Sequence, residues 1–228
     1  MKNSILFAIV MSGLVLLCSC NSKKAAPAAE PDPEFVTALQ SAQKSLVLES
    51  NLISGFKIGM TEEQVDSVIQ SLYASNSLIH RDDVNEDMIP LRESWEYSVN
   101  TSCLEYNIQD KTYYISLNPI YAKGRLTELV CTITNAKGQN LDAPLHVIFS
   151  KFFEQSERGK SFKKFTNKDE NGEEMIFFIK DNLEIVFFPQ SPDETGEVKG
   201  TIQYVNIPGL DEIEEENKEK DQDLINSL

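Results

Sequence analysis

Apolar residues change their spacing several times along this chain, and each change marks an element. Between residues 34 and 50, Phe35, Leu39, Ala42 and Leu46 recur at helical spacing and predict an amphipathic helix. A second helix begins near Thr61, where Val65, Val68, Ile69 and Leu72 stand at i, i+3, i+4 and i+7. Its start is specified locally. Thr61 and Gln64 can each satisfy the other's orphan backbone N–H, and Met60 can staple onto Val65. Two helices therefore precede the first strands.

Period two then takes over. Segments 102–108 and 111–117 flank Gln109-Asp110, and a two-residue turn there pairs Ile108 with Lys111, Tyr106 with Tyr113 and Leu104 with Ile115. In that register Leu104, Tyr106, Ile108, Tyr113, Ile115 and Leu117 share a face. After a loop over 119–124, residues 126–134 read as a third strand with Leu129, Cys131 and Ile133 inward. Asp142 or Ala143 can cap a following helix with Pro144 in its first turn; Leu145, Ile148, Phe149 and Phe152 form its stripe and Gly159 ends it. Segments 175–180 and 183–188 make a hairpin about Asp181-Asn182, and 200–207 supplies one more strand. The fold class is α+β, with helices packed on antiparallel sheet. A helix-helix-three-strand module spans 34–140, and a helix plus three-strand module spans 141–208.

The second hairpin departs from simple alternation. Ile176, Phe178, Ile185 and Phe187 fall on one side, and Met175, Phe177, Ile179, Val186 and Phe188 on the other. An antiparallel sheet with one wet face should not be apolar on both, so the hairpin is either sandwiched between layers or presents an apolar surface. The second set is the candidate interaction surface, for a protein or a lipid-like ligand.

The N-terminus adds a location. Lys2 precedes an apolar run from 5 to 17 broken only by Ser12 and Gly13, well short of the ~20 residues that span a bilayer. It closes on Leu17-Cys18-Ser19-Cys20, which resembles the cleavage box of bacterial lipoproteins. The resemblance implies that residues 1–19 are a signal peptide and that Cys20 is the acylated first residue. Small Ser19 before Cys20, against bulky Leu17 before Cys18, selects the second cysteine. Acyl chains at ~0.8 kcal/mol per buried methylene would then anchor the chain to the membrane. Asn21 rather than Asp follows the anchor, which by the same resemblance points to the outer membrane; Lys23 and Lys24 come next and point to its periplasmic face rather than the cell surface. Residues 20–33 read as a flexible tether and 209–228 as an acidic, disordered tail.

The start Gly59-Met60-Thr61-Glu62-Glu63-Gln64-Val65, with the order helix, helix, strand, strand, strand, resembles the small SmpA/OmlA-type lipoproteins of the barrel-assembly machine and their beta-lactamase-inhibitor-like relatives. The resemblance implies a helix pair against an antiparallel sheet, tandem modules as in the inhibitors, and work done by protein contact.

Charge and chemistry narrow the rest. Lys and Arg number 21 against 36 Asp and Glu, a net −15 that repels nucleic acid and anionic head groups. The acidic run 83–87 alternates oxygens like a calcium loop, but Met88 takes the glycine position and Ser94 the final Glu position. The run 167–172 has its glycine but ends on Phe178. His80 and His146 lack the neighbours of a zinc site. Trp95 and Tyr97, after Pro90, could line a binding loop or anchor a strand. No nucleophile elbow or phosphate loop is present, so neither cofactor nor metal is expected. Cys103 and Cys131 fall on opposite faces with a strand between them, about 10 Å apart, and are expected to stay unpaired. The expected function is a noncatalytic, outer-membrane-tethered module that binds an envelope protein. The alternatives are a carrier or sensor of an apolar ligand, and an envelope hydrolase with no residues to name.

Overall fold

The computed structural model describes residues 32–80, 102–136, 138–169, 172–190 and 199–209. The cleavage box with Cys20, the tether to residue 31, the run 83–87, Trp95, Tyr97 and the tail from 210 lie outside the described residues. Two helices, α1 (Pro33–Gln43) and α2 (Glu62–Ala74), precede four strands: β1 (Leu78–His80), β2 (Ser102–Ile108), β3 (Lys111–Ala122) and β4 (Arg125–Asn135). Helix α3 (Leu145–Gln155) leads into β5 (Lys163–Lys168), β6 (Glu174–Lys180), β7 (Leu183–Gln190) and β8 (Lys199–Asn206). The fold is α+β. All eight strands form one antiparallel sheet in the order β1-β2-β3-β4-β8-β7-β6-β5, so each half is a four-stranded meander and the two meet through their last strands. No described helix is long and apolar enough to cross a membrane.

Local chemistry explains the elements that form where expected. At the start of α2, Gln64 N–H donates to Thr61 Oγ1 at 3.3 Å while Thr61 N–H donates to Gln64 Oε1 at 2.9 Å, closing the capping box. Ile108 pairs with Lys111 across Gln109 and Asp110, both at positive φ as a tight two-residue turn requires. Lys180 likewise pairs with Leu183. Cys103 and Cys131 are buried on β2 and β4, with β3 between them, and neither is in a disulfide.

Four boundaries differ from the sequence reading. Helix α1 stops at Gln43, leaving Leu46 beyond its end and 96 % exposed, because the chain must turn there to pass the end of the β6–β7 hairpin. Strand β3 runs through Pro119 to Ala122 rather than yielding to a loop. Past Ser116 its described partner is β4 alone, so the missing proline N–H interrupts no ladder to β2, and the register shifts at Ile120/Tyr121. Pro144, not Asp142 or Ala143, is the N-cap of α3; Asp142 instead accepts from Lys111 Nζ at 2.5 Å. Phe153 rather than Phe152, which is 50 % exposed, turns inward on α3, a single-residue offset being about 100° around a helix. That helix ends at Gln155, and Gly159 opens a 3-10 turn where a Cβ would stand 1.9 Å from the Phe153 carbonyl oxygen. Two short strands, β1 and β5, were not anticipated, giving four strands per half instead of three.

One face of the sheet carries the main core. Val65 and Ile69 of α2 and Leu145 and Phe149 of α3 pack with Leu104, Ile115, Leu129, Ile133, Ile185 and Ile202 from the strands. Phe153 stands edge-on to Phe178 with ring centres 4.9 Å apart, and Phe149 edge-on to Tyr113 at 5.3 Å. Gly200 lets the first turn of α3 approach β8, since a Cβ there would lie 2.9 Å from His146 N.

Candidate interaction face

The opposite face divides in two. On β5 to β7, strand alternation brings Phe165, Met175, Phe177, Ile179 and Val186 into one buried cluster, with Phe188 partly buried at its edge. The five residues singled out from the sequence are therefore together. They lie beneath α1, whose Phe35, Leu39 and Ala42 complete the cluster with Ile207. The Phe35 ring sits 4.7 Å from that of Phe177 and 5.4 Å from that of Phe165. The hairpin is thus sandwiched between helices, α3 on one side and α1 on the other.

On β2 to β4 the same face is polar. Glu105, Asn107 and Asn118 are exposed; Tyr114, Ser116 and Thr132 are half-buried. The pairings Glu105↔Tyr114 and Ser116↔Thr132 set them in cross-strand rows. Hydroxyls, amides, the Glu105 carboxylate and one aromatic ring form a sheet surface over which no described helix lies.

Between the halves runs a buried polar seam. Gln203 Nε2 donates to Glu128 Oε1 at 2.6 Å, and burial raises the Glu128 carboxyl above its ordinary range against that hydrogen bond. Glu184 lies in the same cross-strand row, on the far side of Val205. Burial pushes its carboxyl up to about 7, and its Oε1 has no hydrogen-bond partner among the described residues. A second network ties the end of the hairpin. Glu49 N–H donates to Asn182 Oδ1 at 2.7 Å, Asn182 Nδ2 donates to Asn206 Oδ1 at 2.8 Å, and Lys180 Nζ donates to a Glu49 carboxylate oxygen at 3.0 Å. Burial opposes ionisation of Glu49, but Lys180, the Asn51 backbone and Arg158 together hold it below the usual carboxylate range. Arg158 also donates to the carbonyls of Leu52 and Asn51.

The remaining sequence candidates lie apart from this face. His146 is buried at the start of α3. Burial lowers its pKa, Glu174 opposes the shift, and neither ring nitrogen finds a hydrogen bond of good geometry among the described residues. At the β5–β6 turn Asp169 accepts from Glu173 N–H at 2.8 Å, and Gly172 takes a positive φ, as a hairpin turn requires. No group of three or more His, Cys, Asp or Glu side chains suited to a metal occurs among the described residues. The seam acids were missed by sequence reasoning. A signal was available for Glu184, which interrupts the apolar run 183–188; Glu128 lies in a strand that already carries Thr127, Thr132 and Thr134 and does not stand out. Comparison with protein-family models, with curated proteins and with solved structures finds no match to this chain.

Proposed function

We propose that this protein is a noncatalytic module, held at the periplasmic face of an outer membrane through a lipid on Cys20, that engages another envelope protein. The observation that carries the reading is the polar half of the second sheet face, over which no described helix lies. Its array of hydroxyl, amide, carboxylate and aromatic groups suits contact with another folded protein. The topology supports the inhibitor-like, tandem-module reading, because a helix followed by a four-stranded meander occurs in each half. A carrier of an apolar ligand is less well supported, since a ligand on the apolar half would have to take the place of α1.

Photo-crosslinking in native membranes tests the reading. A photoreactive side chain at Asn118 should trap an envelope protein, and one at the buried Leu129 should not. Cys20→Ser should release the chain from the membrane fraction and lose the crosslink. Recovery of no protein at Asn118, Tyr114 or Thr132 would overturn the proposal.

A further inference from the structure

The described contacts of helix α1 with the body include a set of apolar side chains and an exposed ion pair. Its buried side chains are Phe35, Leu39 and Ala42, and Lys163 Nζ meets Glu34 at 3.0 Å on the rim. Beyond Gln43 the chain passes through Leu46, Val47 and Leu48, all exposed, before Glu49 N–H is fixed to Asn182. An 11-residue helix is marginal in water by itself, so α1 depends on being docked.

The sheet face it docks on also carries a carboxyl group. Glu184 pairs with Ile179 and Val205 and stands two residues before Val186, so strand alternation sets it on the α1 side of the sheet, fully buried, with one oxygen unpartnered among the described residues. No described cation compensates it. Helix α1 turns only apolar side chains inward, and its Glu34 is engaged by Lys163, which is the cation that β5 brings to this face. From β6 this face receives Met175, Phe177 and Ile179; Lys180 alternates to the other face and binds Glu49. From β8 comes Gln203, and from β4 comes Glu128, already bonded to Gln203.

We infer that Glu184 makes the seating of α1 pH-dependent: the helix stays over the apolar face while this carboxyl is protonated and is released as it ionises, uncovering Met175, Phe177, Ile179 and Val186. The docked state raises the carboxyl from 4.5 to about 7. It therefore holds an extra proton within that window, and its advantage is lost as pH rises through it. The switch needs neither the lipid anchor nor the proposed partner.

Hydrogen–deuterium exchange of the full chain from pH 5 to 8, corrected for intrinsic chemistry, tests it. Opening of 33–43 should rise about tenfold per pH unit up to pH 7 and then level off, with no matching rise in 145–155. Glu184→Gln should abolish the rise, and Glu128→Gln should keep it. The inference fails if the wild type shows no rise, if Glu184→Gln retains it, if Glu128→Gln removes it, or if 145–155 opens in parallel. Should Glu184→Gln not fold, Phe35→Ala provides the check. It should open α1 at every pH with the same slope, and a lost slope overturns the inference.

Discussion

The two faces of the sheet are built on different principles. The first is apolar across both halves, with α2, α3 and the long-range packing of Leu129, Ile133 and Ile185 holding it together. The second changes character at the seam between β4 and β8, apolar under α1 on one side and polar on the other. Stability is thereby concentrated on one face, and the other is left to vary. A terminal helix and a polar surface can change there without dismantling the core.

The sharpest way to break that contrast is to truncate one residue on each face. Leu129→Ala, at a fully buried site of the main core, should cost about 2–5 kcal/mol and shift the urea midpoint of the whole domain. Phe35→Ala should change that midpoint by no more than about 1 kcal/mol while making 33–48 sensitive to protease, because the loss is confined to α1. Equal global losses would erase the distinction. Thr61→Ala is a smaller perturbation of the first face. Removing its capping acceptor should cost about 1 kcal/mol, read from the same urea curves.

The finest difference is one of sign with pH. The pKa of His146 is lowered below 6.5 by its burial at the start of α3, so the folded state takes up fewer protons than the unfolded chain as the solution is acidified. Its contribution is present above the ordinary histidine range and lost as pH falls through it, opposite to the Glu184 side. His146→Leu should remove this acid-side loss, as seen in urea midpoints at pH 5 and 7.5. An unchanged acid slope would place the sensitivity elsewhere.

Much of this arrangement was readable from local pattern. The hairpin registers follow from period-two spacing and two-residue turns, and the start of α2 follows from a capping box, all set by residues a few positions apart. What could not be read depends on distant partners. Nothing near Phe35 indicates that it meets Phe165 and Phe177, 130 and 142 residues later. Strand β5 buries only Phe165, too little alternation to declare a strand. The stripe of α3 was missed by one residue, because Phe152 and Phe153 are chemically equal and only packing separates them. The polar half of the second face was legible as alternation, yet nothing local showed that no described helix would cover it.

Strand β8 sits between β4 and β7, although it is the last of the described strands. Until residue 206 has been made, the two meanders have no hydrogen-bonded junction, and β4 and β7 each present an unpaired edge. The main core therefore cannot close progressively during synthesis. It forms only when the whole chain has been delivered, as a late, non-local and hence slow step during which two open sheet edges need protection from other chains.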